Sequence, residues 1–484
     1  MMLNDKLKKF QSEQLDETTI SALQEKMDSG ELTSEEITLM YMDMISRRNK
    51  NVNAVLELNL QAVQIARALD VERAVKGPRS LLHGIPVLLK DNMGTKDRMH
   101  TSCGSLAFKD FYAAEDSFLV KKLRAAGAVI LGKTNMTEWA NFMSDRMTNG
   151  WSSRGGQVNN PYGLFDVGGS SSGAGAGIAA NLAVVAIGTE TTGSILNPSA
   201  QNSLVGIKPT VGAISRTGVI PLSYTQDTPG PMARTVKDAT ITFSLLIGHD
   251  PEDPVTEEAV RLDGVDWMSL LDTAALEGVR LGVARAIFER EASTERMSLF
   301  DIALKELEAA GAIIIDDIDL GTMENDLGYN VLLYEFKAAL NAYLGKTPAA
   351  NPIRTLSDVI RFNNEHAEET LKFGQVMLEK VERTSGTLTE RAYIEALIRN
   401  RHLAGEIALG KALEEHNVQA LVFPQDHGCS FGAAAGYPSI TVPGAYSDAG
   451  EPFGITFSGK AFTEPELIGY AYAFEQRVNA RRKP

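Results

Sequence analysis

Two cysteines, Cys103 and Cys429, cannot staple a chain of 484 residues, so nothing points to an oxidising compartment. Positive charge is also scarce. Lys and Arg number 47 against 62 Asp and Glu, a net charge of −15. A nucleic-acid binder usually carries a basic stripe, and anionic membranes attract basic surfaces; both partners are argued against. The seven histidines form no H-E-x-x-H and pair with no cysteine at zinc spacing, so no metal or other cofactor is implied. No run of about 18 apolar residues occurs, so no membrane-spanning helix is expected. The first residues, Met1-Met2-Leu3-Asn4-Asp5-Lys6, lack the apolar core of a signal peptide. These absences lead to the expectation of a cytoplasmic protein. A hydrophobic content of 44% is enough for a large core.

The pattern along the chain is that of an α/β protein. Thr33-Ser34-Glu35-Glu36 reads as a capping box, with Ile37, Met40, Tyr41, Met44 and Ile45 following at helical spacing. Residues 1–75 are therefore expected to be helices outside a core. Gly84 to Asp91 is a short apolar run that suggests a buried strand ending in Lys90. Ser117 to Ala126 reads as a helix stopped by Gly127, and Ala128 to Leu131 as a further strand. Residues 173–183 are small and apolar all round, as in a buried helix, and Ala183 to Ile187 is a strand. Helix alternating with continuous apolar strand predicts a central mixed sheet covered by helices on both faces. Residues 250–415, with helical pattern at 356–380 and 390–416, read as a helix-rich insertion or cap. Strands return at 420–424, 439–443 and 453–457. One domain is expected over 1–484, with its core at 76–245 and the chain returning to the sheet over 416–484.

Gly127-Ala128-Val129-Ile130-Leu131-Gly132-Lys133-Thr134 matches the P-loop pattern. The four residues between the glycines would have to form a phosphate-cradling loop, yet they have the composition of a strand. The nucleotide reading is set aside.

The most informative stretch is 168–194, with seven glycines and the serines Ser170 and Ser194, 24 positions apart. Glycines let backbone N–H groups approach a ligand closely, and a serine is a nucleophile when something nearby takes its proton. No histidine is recommended as that base by a motif. Lysine is the alternative when burial keeps it neutral. Lys90 fits by its place after four apolar positions; snorkelling to solvent or pairing with Asp91 would be its ordinary roles.

Leu88-Leu89-Lys90-Asp91-Asn92, Gly169-Ser170-Ser171-Ser172-Gly173, Gly188-Thr189-Glu190-Thr191-Thr192-Gly193-Ser194 and Gly206-Ile207-Lys208-Pro209-Thr210 occur in order, with Gly436 to Pro443 near the end. Together they resemble the amidase signature family. The resemblance implies that family's fold and a triad of Ser194 as nucleophile, Ser170 as bridging serine after a cis bond at Gly169–Ser170, and Lys90 as base. It implies an oxyanion hole from the backbone N–H groups of Thr191, Thr192, Gly193 and Ser194. It places the stretch around Asn141 and Met143, with Gly169 and Ser171, near the substrate. Trp139, Phe142 and Met143 equally suit core packing. Ser172 is expected to cap the helix that follows it. Where the family often reads Thr-Asp-x-Gly-Gly-Ser-Ile-Arg, this chain has Glu190, Thr192 and Leu196, a variant closer to bacterial peptide amidases. Glu190, without the arginine, needs another partner.

The resemblance therefore implies hydrolysis of a small-molecule amide. A C-terminal peptide amidase, or an aryl-acylamide, carbamate or ester hydrolase, is a variant of that reading. The other two functions considered are a non-catalytic amide-binding protein and a glutamine-dependent amidotransferase subunit. A homo-oligomer is left open.

Overall fold

A computed structural model of the chain describes residues 3–289 and 292–484. Its thirteen strands are, in chain order, β1 (Val55–Leu58), β2 (Pro86–Lys90), β3 (Val129–Thr134), β4 (Trp151–Ser152), β5 (Gly156–Gln157), β6 (Val185–Glu190), β7 (Val205–Lys208), β8 (Thr228–Ala233), β9 (Arg280–Gly282), β10 (Ile313–Ile315), β11 (Ala420–Pro424), β12 (Ser439–Tyr446) and β13 (Pro452–Ser458). Eleven of them form one mixed sheet in the order β1-β3-β2-β6-β8-β7-β12-β13-β11-β9-β10, while β4 and β5 pair separately. Strands β3, β2 and β6 run parallel, as do β11, β9 and β10. Helices flank the sheet, as the sequence predicts. No helix among the described residues is long and apolar enough to cross a membrane.

Local chemistry explains where these elements start and stop. The Thr33 hydroxyl accepts from the Glu36 N–H at 3.1 Å, and the Glu36 carboxylate accepts from the Thr33 N–H at 3.0 Å. This capping box opens the helix Ser34–Val52, which buries Ile37, Met40, Tyr41, Met44 and Ile45. β2, β3 and β6 are buried along their whole length, which is why they read as unbroken apolar runs. The P-loop look-alike is β3. Its Lys133 is fully buried and donates to the Met93 carbonyl at 2.6 Å and to the Thr101 hydroxyl at 3.0 Å.

Three expectations are corrected. Residues 1–75 are not helical throughout, because Val55–Leu58 pairs antiparallel with β3 at the sheet edge. Four half-buried residues carry too short a pattern to be read against the helices around them. The segment 250–415 is not only helical, because it supplies β9 and β10 to the sheet. Only its later helices, among them Asn330–Gly345 and Leu356–Glu365, pack over the site. Phe336, Leu340 and Leu356 share a second apolar cluster with Trp139, Ile220 and Leu222. Ser172 is not a helix cap. It is the first residue of the buried helix Ser172–Ala179, and its hydroxyl donates to the Gly168 carbonyl at 2.6 Å.

Candidate active site

The parallel strands β3, β2 and β6 end side by side at Thr134, Lys90 and Glu190. The carboxyl ends of such strands are where open α/β sheets form their binding crevices. Lys90 is fully buried there. Its Nζ lies 2.8 Å from Ser170 Oγ, 3.0 Å from Ser171 Oγ and 3.1 Å from the Thr189 carbonyl oxygen. Burial lowers the amine from its ordinary value of 10.5 to about 7, partly opposed by the ionisable groups of Cys103, Asp227 and Glu190. Lys90 neither snorkels nor pairs with its neighbour. The Asp91 carboxylate instead accepts from the Ser102 hydroxyl and from the Gly104 N–H at 3.2 Å, and it faces Arg154 at 3.5 Å.

The serine segment is wedged against this lysine. The Gly169–Ser170 peptide is cis. The Gly169 N–H donates to Asn197 Oδ1 at 3.0 Å, and the Ser170 carbonyl accepts from the Thr137 N–H at 3.1 Å. Gly173 lies where a Cβ would come within 2.4 Å of the Ala54 and Asn135 carbonyl oxygens, so only glycine permits this approach. Ser171 is fully buried, its hydroxyl taken up by Lys90 and by the Thr189 carbonyl at 3.0 Å.

Beyond β6 the chain turns through Thr191–Ile195 into the short helix Leu196–Gln201. The Glu190 carboxylate holds this turn, accepting from the Ile195 N–H at 2.7 Å and the Leu196 N–H at 3.0 Å. No ion pair to Glu190 forms among the described residues; Lys208, fully buried at the end of β7, acts on it only through its field, its Nζ donating to the Pro209 and Tyr437 carbonyls at 3.1 and 2.6 Å. Burial raises the Glu190 pKa, and Lys208 acts against it. Gly193 sits in the left-handed region at φ +73°, and its carbonyl accepts from the Asn197 N–H at 2.7 Å. Ser194 is buried, and its backbone carbonyl accepts from the Ser171 N–H at 3.2 Å, which ties the two serine segments together. Asp227, half-buried, accepts from the Thr191 hydroxyl at 2.5 Å and from the Leu222 and Ser223 N–H groups at 2.7 and 2.9 Å.

Beside Thr189 and Thr191 lies a narrow chamber of about 30 Å³, with Asn92, Cys103, Trp139 and Phe336 among its walls. It shares Arg216, Val219, Pro221 and Asp227 with a wider cavity of about 470 Å³, which reaches Tyr343 and Lys346 of the cap. The fully buried Glu335 clips the cap to this wall, accepting from the Ser223 hydroxyl at 2.5 Å, the Thr225 N–H at 3.1 Å and the Tyr393 hydroxyl at 2.7 Å.

Lys90, Ser170, Ser171 and the Ser194 backbone are thus in one network. Asn141 and Met143 stand apart from it. Asn141 is exposed, whereas Met143 is buried in the cap cluster, its carbonyl accepting from the Met377 N–H at 3.1 Å. Asn92, Asp227 and Glu335 line or brace the site without standing out in the sequence. Asn92 follows Lys90 and Asp91 with no role attached to it there, and the other two are single acids with no pattern around them.

Residues 36–468 match the family model described as Amidase. The chain is 40% identical over 482 residues to a probable amidase of Arabidopsis thaliana, covering 97% of this chain and 92% of that protein. It is 30% identical over 492 residues to a glutamyl-tRNA(Gln) amidotransferase subunit of Alkaliphilus metalliredigens, covering 96% and 97%. Among solved structures, the native peptide amidase from Stenotrophomonas maltophilia superposes with a TM-score of 0.90 at 42% identity, covering 97% of this chain and 99% of that one.

Proposed function

The chain belongs to the amidase family, and from that premise we propose that it hydrolyses the C–N bond of a carboxylic amide through an acyl-enzyme on Ser194. The observation that carries this reading is the buried Lys90 amine, 2.8 Å from Ser170 Oγ and lowered by burial to about 7. A substantial share of such an amine is neutral at neutral pH, so it can act as a base. As Ser194 Oγ attacks the amide carbonyl, its proton passes to Ser170 Oγ while the Ser170 proton passes to Lys90 Nζ. The oxyanion that forms faces the N–H groups of Thr191, Thr192, Gly193 and Ser194. Glu190 serves this step by pinning the Ile195 and Leu196 amides and with them the shape of the turn. The proton on Lys90 returns through Ser170 to the leaving nitrogen as the C–N bond breaks. Water then enters, gives up a proton by the same relay and releases the acid.

The finer reading is removal of the C-terminal amide of a peptide. It is supported by the Glu190 variant of the turn and by the likeness to the S. maltophilia peptide amidase. A panel of simple amides, peptide amides, anilides and esters tests both levels. Ammonia should be released from peptide amides without internal cleavage, and Ser194→Ala should abolish it. Wild-type turnover in Ser194→Ala would refute the assignment. The amidotransferase relative favours a second reading, in which the chain passes ammonia to partner proteins. The net charge of −15 and the Thr192 and Leu196 departures count against it. Stable co-purification with such partners would favour it.

A further inference from the structure

Ser170 hangs between two hydrogen bonds to the segment that carries Ser194. On one side the Ser171 N–H donates to the Ser194 carbonyl at 3.2 Å. On the other the Gly169 N–H donates to Asn197 Oδ1 at 3.0 Å. The first bond joins main chain to main chain and does not depend on a side chain. The second depends on one asparagine, in the short helix that follows the nucleophile turn. The two segments are packed closely here: a Cβ on Gly168 would come within 2.5 Å of Pro198 Cα and 2.9 Å of Asn197 Oδ1.

The asparagine can serve Gly169 only when its oxygen faces that way. Its stem is fixed by its own N–H, which donates to the Gly193 carbonyl at 2.7 Å. Its Nδ2 donates to Asp426 Oδ1 at 3.1 Å. A carboxylate only accepts hydrogen bonds, so it admits one orientation of the amide, with nitrogen toward Asp426 and oxygen toward Gly169. Asp426 comes from 229 positions further along the chain, just after β11. Gln425 before it is at φ +52° and is tied to β13, its N–H donating to the Gly454 carbonyl at 2.8 Å and its Oε1 accepting from the Gly454 N–H at 2.7 Å. The carboxylate therefore stands on the central sheet. Neither Asn197 nor Asp426 is a wall of the narrow chamber or of the wider cavity, so the pair bears on the serines and not on the acyl chain.

We propose that Asn197 is a positioning residue for the proton relay, oriented by Asp426, and that the pair keeps Ser170 in register between Lys90 and Ser194. The inference rests on the Ser194–Ser170–Lys90 relay proposed above and adds to it the part that aligns its middle member. Lys90 Nζ holds the Ser170 hydroxyl at 2.8 Å, and Asn197 holds the backbone one residue before it. Without the second hold, Ser170 can follow the lysine away from Ser194. A misplacement of about 1 Å can cost about 100-fold in rate, and it falls on the chemical step and not on substrate binding.

The test measures kcat and KM of the full-length enzyme on N-acetyl-leucinamide, together with the rate at which a fluorophosphonate labels Ser194. In Asn197→Ala, kcat and the labelling rate should both fall about 10- to 100-fold, while KM stays within about threefold. Asn197→Asp keeps an acceptor for Gly169 but sets two carboxylates about 3 Å apart, and kcat should fall about tenfold. Adding Asp426→Asn to that variant returns a donor to the pair, and kcat should recover to within about threefold of the wild type. An asparagine that merely supports the fold would lower the thermal midpoint without this loss and rescue of kcat. Wild-type kcat and labelling in folded Asn197→Ala would overturn the proposal, as would a double variant no faster than Asn197→Asp alone. Should Asn197→Ala not fold, Asp426→Ala decides: a lowered kcat at constant KM supports the proposal, and an unchanged kcat overturns it. Full activity in Ser194→Ala would overturn the relay itself, and the positioning role with it.

Discussion

Replacing Lys90 by methionine should strongly impair catalysis and at the same time remove a pH-dependent load on the fold. The lysine is fully buried, and its pKa is lowered from 10.5 to about 7. Below pH 7 the amine is protonated in both the folded and the unfolded chain. The full cost of burying the ammonium then stands, about 5 kcal/mol for a depression of this size. Between pH 7 and 10.5 the unfolded chain binds a proton that the folded chain does not, so stability rises with pH across that window. From pH 6 to pH 9 the wild-type protein should therefore recover about 3 kcal/mol that Lys90→Met has no means to gain. Methionine also strips partners from the Ser170 and Ser171 hydroxyls and the Thr189 carbonyl, at about 1 kcal/mol each. That loss is independent of pH and shifts the offset between the two proteins, not its slope. Buried Lys133 and Lys208 are present in both proteins and largely cancel in the difference. Urea unfolding of both at pH 6 and pH 9 measures the effect, and the stability gap should move toward the wild type by about 3 kcal/mol. A gap constant within about 1 kcal/mol would show that the amine does not titrate in this window and would refute the reasoning. Amide turnover should fall by about 100- to 10,000-fold, the range spanned by general-base groups.

Two further variants probe the frame of the site. Glu190→Ala leaves the Ile195 and Leu196 amides unpaired, so it should cost about 2–4 kcal/mol in a denaturant melt and lower kcat more than it raises KM. Glu190→Gln keeps an acceptor oxygen and should recover most of both; equal damage from the two substitutions would contradict this role. Glu335→Ala unclips the cap from the 223–225 loop and should lower the thermal midpoint and raise KM, with kcat less affected. An unchanged KM would show that the clip does not shape the site.

The parts of the architecture legible in the sequence were those with a long or repeated local signal. The apolar runs into Lys90 and through Val129–Leu131 foretold β2 and β3, and the composition of residues 128–131 ruled out the P-loop despite a full match of letters. The small residues after Ser172 foretold a buried helix, because only such residues let it come so close to Asn135 and Ala54. β1, β9 and β10 are not legible because strands of three or four residues, at or next to a sheet edge, carry no period that stands out from neighbouring helices. The cap was expected, but not how it is fastened: Glu335 meets Ser223 across 112 positions of chain. The sequence shows that Glu190 needs a partner, but not that the Ile195 and Leu196 amides of the following turn supply it, since that depends on how the turn folds back.

Fluorophosphonate labelling of the folded enzyme, mapped by peptide mass spectrometry across a pH series, bears most directly on the proton relay from Ser194 to Lys90. A single adduct should appear on Ser194, forming faster as pH rises, with an apparent pKa of about 7, the value to which burial brings the Lys90 amine. An adduct on a different serine, or a rate on Ser194 that does not change between pH 6 and pH 9, would contradict it.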